Sequence, residues 1–456
     1  MKVLFATPEC TPLAKAGGLG DVSAALPAAL RALGHEVDVL LPAYAEVLGK
    51  LPGAAEVERC DDLGVEARLL RKDEFLLIDC PALYQRQGSP YQDPGGQDWP
   101  DNALRFGLLS RIAGKLGARY DVVHCNDWPA ALAPVYAHAG KTLLTIHNLA
   151  FQGNFEPSWL GRLGLSPELL SMERLEFHGR MSFLKGGLVA AGAINTVSPT
   201  YAREIQTPEF GCGLEGVLQK RSGTLTGILN GIDADVWDPA RDPHLPERYD
   251  ADSLERKQAN KRALRERMNL ERTDHPLIGF VGRLTHQKGA DLIAAAAAEL
   301  VALPAQLVVL GRGERDIEAA LASIAGRHPG RIALAMGFDE PLAHLIEAGA
   351  DLFIMPSRFE PCGLNQMYSQ RYGTPPVARA TGGLTDTVED GRTGFLFERA
   401  EASALAAAVR RAVGILRDAA RWREIQRAGM LRDFSWPAAA RQYAALYSRL
   451  ATRRAP

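Results

Sequence analysis

Short apolar runs of four or five residues alternate with amphipathic stretches along almost the whole chain, the pattern that parallel α/β sheets write into a sequence. In the first half the runs predict strands at Val3–Ala6, Val37–Leu41, Phe75–Asp79, Val122–Cys125, Leu143–Ile146, Ile194–Val197 and Leu225–Leu229. After the first of these, Val22, Ala25, Leu26, Ala29, Leu30 and Leu33 recur at helical spacing until Gly34 closes the helix. A stretch rich in Asp and Pro, about Asp233 to Asp252, breaks the alternation and reads as a linker. The pattern restarts with strands at Leu277–Val281, Leu307–Leu310, Ile332–Ala335, Leu352–Met355 and Val377–Ala378, and the chain finishes in an amphipathic helix from Trp436 to Leu450. The fold class expected is α/β: two Rossmann-like, doubly wound parallel-sheet domains, residues 1–240 and 241–434, facing across a cleft, with 435–456 as a C-terminal helix. Ligands of such folds bind beyond the carboxyl ends of the strands, so the polar residues that follow each strand are the informative ones.

Composition agrees with two globular domains: 456 residues, 46% hydrophobic and 23% charged, supply two cores. Fifty-two basic against 54 acidic residues leave a formal charge of −2, which argues against nucleic acid or an anionic membrane as the main partner. Cys10, Cys60, Cys80, Cys125, Cys212 and Cys362 are scattered without a CxxC pair, as expected of free thiols in a reducing compartment. With no secretory signal at Met1 and no apolar run near the ~18 residues of a membrane span, the expected location is the cytoplasm.

Several strand ends carry candidate chemistry. After the first strand come Glu9 and then Lys15-Ala16-Gly17-Gly18-Leu19-Gly20-Asp21. This is either a glycine nest that offers backbone N–H groups to a phosphate beside the Lys15 charge, or a flexible turn with Asp21 as a cap. The fourth strand ends in Asn126-Asp127-Trp128 and the fifth in His147-Asn148. Those side chains either meet sugar hydroxyls and a charged transition state or serve as a core histidine and a helix cap. Asp233-Ala234-Asp235 has the form of a metal-binding Asp-x-Asp but reads as a turn at the hinge. In the second half, Gly282-Arg283-Leu284-Thr285-His286-Gln287-Lys288-Gly289 follows a strand and opens a helix, so that Arg283 and Lys288 either bracket a diphosphate or are two solvated charges. Gly311-Arg312-Gly313 lacks the third glycine of a dinucleotide fingerprint, which argues against NAD. Ser357-Arg358-Phe359-Glu360-Pro361-Cys362-Gly363-Leu364-Asn365 places the Glu360 carboxylate at a helix start, and Thr381-Gly382-Gly383-Leu384 makes a glycine turn at the next strand end.

Taken together, KAGGLGD, HCNDW, TIHNLAFQG, NGID, GRLTHQKG, SRFEPCGL and TGGL stand in the order and spacing of the bacterial glycogen synthase and plant starch synthase family, which the whole chain resembles. The resemblance implies a GT-B fold with the terminal helix packed back on the N-terminal domain, and a retaining glucosyl transfer from ADP-glucose to glycogen or a malto-oligosaccharide without a metal or other cofactor. Donor contacts implied are Lys15, Gly18, Asn230, Arg283, Lys288, Phe338 (an aromatic that stacks on adenine), Glu360, Cys362, Gly363, Leu364 and Asn365. Glu9, Tyr91, Asp127 and Asn148 fall to the acceptor, and Glu360, His147, Asp127, Lys288 and Arg283 to catalysis. Tyr368 stands where the wider GT-B clan often has a second glutamate, which starch and glycogen synthases lack too; Asn126 and Pro129 flank Asp127-Trp128 where histidines are common, and Asn365 stands where threonine is frequent. Two other classes fit the same fold: a phosphorylase, epimerase or small-acceptor transferase, and a glucan-binding protein that has lost its chemistry.

Overall fold

A computed structural model describes residues 1–137 and 141–452; the last four residues of the expected C-terminal segment lie outside it. The chain forms two compact units, Met1–Gly231 with Trp436–Pro456, and Ile232–Ser435. The apolar runs become strands β1 (Lys2–Ala6), β2 (Glu36–Pro42), β3 (Ala55–Arg59), β4 (Arg68–Lys72), β5 (Phe75–Asp79), β6 (Val122–Asn126), β7 (Thr142–Ile146), β8 (Asn154–Phe155), β9 (Glu176–Phe177), β10 (Arg180–Ser182), β11 (Ala193–Thr196) and β12 (Leu225–Gly227) in the first unit. The second unit holds β13 (Leu277–Val281), β14 (Gln306–Gly311), β15 (Ile332–Met336), β16 (Leu352–Met355), β17 (Pro376–Arg379) and β18 (Phe395–Phe397).

The first unit is built on a nine-stranded sheet of order β12-β11-β7-β6-β1-β2-β5-β4-β3. All its pairs from β12 to β5 are parallel, and β5-β4-β3 is an antiparallel edge. Sequence reading found β5 but missed β4 and β3, the outermost for a physical reason. β3 is Ala-Glu-Val-Glu-Arg with no buried residue, so it lacks the apolar face that marks a strand buried on one side. The small antiparallel sheet β8-β10-β9 is too short to carry any period. The second unit is a wholly parallel sheet of order β15-β14-β13-β16-β17-β18.

The domain boundary expected at 240/241 falls inside the second unit. The Asp- and Pro-rich stretch has no regular structure, yet its side chains are committed to that unit. Asp242 is buried and accepts hydrogen bonds from His344 Nδ1 at 2.7 Å and Tyr372 OH at 2.6 Å. The Trp237 ring stacks between those of His344 and Tyr368, with centroids 3.9 Å apart on each side. Asp233 and Asp235 form a turn rather than a ligand pair, with Asp233 Oδ1 accepting from the N–H of Asp235 at 2.9 Å.

The C-terminal helix Trp436–Thr452 belongs to the first unit, as the resemblance implied. Trp436, Ala439, Ala440, Tyr443, Leu446, Tyr447 and Leu450 recur at three- and four-residue steps and bury one face against Val3, Phe5, Val22, Leu26 and Leu30. Two tyrosines on that face also reach polar groups inside the sheet. His124 on β6 bonds Tyr447 OH through Nδ1 and Thr145 Oγ1 through Nε2, both at 2.7 Å, and Asn195 Nδ2 donates to Tyr443 OH at 2.8 Å. A buried polar group left unpaired costs more than its hydrogen bond returns, so these contacts allow one seating of the helix. Tyr447→Phe strands a ring nitrogen of His124. We expect a loss of about 1–2 kcal/mol, seen as a melting temperature lower by roughly 2–6 °C; an unchanged melt would contradict this docking.

Candidate active site

Both sheets reverse their winding beside their first strand. In the first unit the chain runs outward from β1 to β2 and β5, then returns to place β6 on the other side of β1. In the second it runs from β13 to β14 and β15, then returns to place β16 beside β13. At such a switch point the loops leaving two adjacent strands diverge and open a crevice. The motifs that follow β1, β6, β13 and β16 sit on these loops, while those of His147, Asn230, Phe338 and Thr381 follow β7, β12, β15 and β17.

In the second unit, the loop after β13 carries Arg283 and Lys288, and the loop after β16 carries Glu360. They touch: Lys288 Nζ lies 2.6 Å from Glu360 Oε2, which also accepts the Ser357 hydroxyl at 3.0 Å. The Glu360 side chain is 6% exposed and that of Lys288 is 23% exposed, so the pair is close to dry and stronger than a surface ion pair. Arg283 is exposed, and its guanidinium donates to Gln287 Oε1 at 3.2 Å. Leu364 and Asn365 line a cavity of about 100 Å³ together with Lys288, and Asn365 Nδ2 donates to Val281 O at 2.7 Å. Cys362 is buried, a packed thiol as its surroundings require.

The glycines of these motifs act chiefly by letting loops approach. A side chain on Gly289, whose φ is +68°, would collide with Pro356 O, and one on Gly382 or Gly383 would collide with Glu360 O or Cys362 O. Gly363, at φ +73°, turns the chain between Cys362 and the helix beginning at Asn365.

One residue of this site had no signal of its own in the sequence reading. Arg358 binds Asp291 through two bonds of 2.7 Å, donates to His286 O at 2.7 Å, and gives its backbone N–H to Gln287 O at 2.9 Å. It therefore fastens the Lys288 loop to the Glu360 loop. Its place inside a strand-to-helix motif was the available clue.

Phe338 follows β15 and is 90% exposed, an aromatic ring left in water where packing would ordinarily cover it. Tyr368 fills the clan's second glutamate position with a ring stacked on Trp237, so that place is structural here. Among the described residues the potential metal ligands that cluster are His286, Glu314 and Asp316, on the surface, with His286 Nδ1 already bonded to Glu314 at 2.7 Å.

In the first unit, Glu9 is buried and its carboxylate is fully used. Oε2 accepts the N–H groups of Ala16 at 2.7 Å and Gly17 at 2.8 Å, and Oε1 accepts the Tyr91 hydroxyl at 2.9 Å. The start of the glycine loop is thus held by protein, and the N–H groups with no intrahelical acceptor are those opening the helix Gly18–Ala32. Lys15 is exposed and paired with Asp21 at 2.7 Å; such a pair is worth about 0–1 kcal/mol, so the cation exchanges partners cheaply. Asn230 is buried with Oδ1 unbonded among the described residues, and the Asn148 side-chain oxygen caps its own turn by accepting from Ala150 N–H at 3.1 Å.

Asp127 and His147 come together at the ends of β6 and β7. Asp127, at φ +54°, accepts the His147 backbone N–H on Oδ1 at 2.8 Å. Burial raises its carboxyl to about 7, against the opposing pull of the His147 and Asn148 N–H groups. Burial lowers His147 to about 3, so its imidazole is neutral at physiological pH. His147 Nε2 lies 3.0 Å from Asn126 Oδ1.

The comparisons with known proteins agree with this arrangement. A family model described as Starch synthase catalytic domain matches residues 2–220, and one described as Glycosyl transferases group 1 matches residues 262–428. Two Rossmann-like units with these motifs at their switch points define a glycosyltransferase of the GT-B fold. The glycogen synthase of Aromatoleum aromaticum is 53% identical, over 98% of this chain and 96% of its own, and that of Dechloromonas aromatica is 51% identical over 99% of each. Among solved structures, the catalytic domain of starch synthase IV from Arabidopsis thaliana, bound to ADP and acarbose, is 34% identical with a TM-score of 0.84 over 99% of both chains. The chain belongs to the family of bacterial glycogen synthases and starch synthases.

The raised Asp127 pKa has a sign that can be tested. A carboxyl that is harder to ionise folded than unfolded binds its proton more tightly in the native state, so stability falls as pH rises from about 4 to 7. Asp127→Asn keeps the acceptor oxygen for His147 N–H and removes the cost of ionisation. We expect the variant to match or exceed wild type in thermal stability at pH ~8, by on the order of 1–2 kcal/mol after allowance for partial solvent access. The difference should shrink as the pH approaches ~4; a variant less stable at both pH values would contradict the assignment.

Proposed function

We propose that the protein lengthens an α-1,4-glucan, transferring glucose from ADP-glucose to the 4-hydroxyl at the non-reducing end with retention of configuration. The observation that carries this reading is the Lys288–Glu360 pair at the switch point of the second unit, with the exposed Arg283 on the same loop as Lys288 and the bare Phe338 ring after β15 of the same sheet. Lys288 and Arg283 bind the diphosphate and Phe338 stacks on the adenine. Glu360, with the backbone around Cys362 and Gly363, accepts hydrogen bonds from glucose hydroxyls. The starch synthase relative bound to ADP and acarbose supports a nucleotide and a glucan as ligands. From the first unit, Lys15 and the N–H groups at Gly18 add charge for the diphosphate, and His147 holds the sugar. Asp127, Glu9, Tyr91 and Asn148 belong to the acceptor side, Glu9 acting through the loop and the Tyr91 ring that it anchors. Six cysteines with no disulfide between them among the described residues suit work in the reducing cytoplasm.

The chemistry is charge separation away from water. As the glucosyl–phosphate bond stretches, the sugar becomes oxocarbenium-like and negative charge gathers on the leaving diphosphate. Lys288, Arg283 and Lys15 stabilise that charge most strongly where water is excluded. The acceptor hydroxyl attacks from the face the phosphate leaves, and the departing phosphate oxygen takes its proton. In this scheme the protein cations serve the diphosphate, and no resident metal is required.

Lys288→Ala or Arg283→Ala should cost about 3 kcal/mol, or roughly a hundredfold in kcat/KM; turnover within about threefold of wild type would refute the roles given. Incubation of the purified protein with radiolabelled ADP-glucose or UDP-glucose and glycogen tests the reaction itself. We expect label in polymer from ADP-glucose, undiminished by EDTA. Release of glucose 1-phosphate, transfer without polymer, or glycogen binding without transfer would each favour a different protein class.

A further inference from the structure

Asn126 is the last residue of β6, fully buried between β1 and β7. Its two side-chain heads face different partners: Nδ2 lies 3.1 Å from Ala6 O, and Oδ1 lies 3.0 Å from His147 Nε2. The orientation of an amide is read from such neighbours. Ala6 O is a carbonyl and only accepts, so the head that meets it is the NH₂ group. The other head is then a carbonyl oxygen, which also only accepts, and the ring nitrogen beside it must bring the proton. Reversing the amide would set two oxygens against each other at Ala6 in a dry site. A main-chain carbonyl of β1 thus sets, through one amide, the protonation of a ring at the end of β7.

We propose that Asn126 is a positioning residue that fixes His147 as its Nε2–H tautomer, so that the ring presents Nδ1 to the sugar as a hydrogen-bond acceptor. The inference rests on the functional reading above for its substrate, a glucosyl unit, and for the tautomer on the amide geometry together with the neutrality of the buried ring. Nδ1 makes no hydrogen bond among the described residues, and it is not a sealed, stranded atom. The neighbouring titratable groups leave this assignment in place. Asp127 meets the His147 backbone N–H rather than the ring, and both ring nitrogens of His124 are engaged by Tyr447 and Thr145. Desolvation keeps the His147 imidazole neutral, so it carries one N–H, already committed to Asn126. A sugar group held by this ring must therefore be a hydroxyl that donates. Asn126 stands where histidine is common in the family, so the fixed tautomer is a property of this chain's own amide.

The test is a two-bond proton–nitrogen NMR spectrum of the full-length protein labelled with ¹⁵N-histidine, the His147 signals being identified by their loss in His147→Gln. We expect a protonated Nε2 and an unprotonated Nδ1, unchanged from about pH 6 to 8. In Asn126→Ala the ring should sample both tautomers, moving the two nitrogen shifts toward each other. The kcat/KM for ADP-glucose should fall about tenfold. A wild-type ring protonated at Nδ1 would overturn the proposal whether or not the variant folds, and so would an Asn126→Ala spectrum identical to wild type. Failure of wild type to transfer glucose, with the Nε2–H spectrum intact, would count against the functional reading and not against the tautomer.

Discussion

All six strands of the second sheet point the same way, and the chain reverses its winding next to β13. Those two facts force the loops after β13 and β16 to leave the same edge of the sheet side by side. One loop brings Lys288 and the other Glu360, and they meet at 2.6 Å. Much else in the unit follows from keeping that meeting possible. Gly289, Gly382 and Gly383 stand where a side chain would strike the backbone of the Glu360 loop, and Arg358 bonds across from that loop to the other. A cation and a carboxylate held together in a nearly dry place are each poised for a ligand that brings the opposite need: phosphate oxygens for one, hydroxyl groups for the other.

The first unit solves a related problem with neutral and half-neutral groups. The neighbouring ends of β6 and β7 gather a carboxyl whose burial opposes ionisation and an imidazole whose burial opposes protonation. Glu9 shows the same economy in another form, since its charge is spent on two backbone N–H groups and a tyrosine. The Lys15–Asp21 ion pair stands at the helix start, while Asp127 and His147 can contact sugar without carrying a full field of their own.

How much of this was legible in the sequence depended on how each feature is encoded. Buried parallel strands are near-continuous apolar runs, so β5, β13 and β16 were read with their observed limits. The exposed edge strand β3 and the two- and three-residue strands β8 to β10 encode nothing periodic, because what places them is pairing with neighbours distant in sequence. Motifs on loops after strands identified Lys288, Glu360, Asp127 and His147 because doubly wound topology converts a position in sequence into a position in space. The contacts that hold those residues were not legible. Arg358 to Asp291, Asn126 to His147 and Asp242 to His344 span 67, 21 and 102 positions, and no local spacing announces them. The linker illustrates the same limit: polar composition marked its lack of regular structure but not its attachment through Trp237 and Asp242.

The most direct measurement is a crystal structure of the protein with ADP bound. Diphosphate oxygens should lie within hydrogen-bonding distance of both Lys288 Nζ and the Arg283 guanidinium, with the adenine over Phe338. A diphosphate seated elsewhere, with Lys288 bonded to Glu360 alone and Phe338 still bare, would contradict that placement.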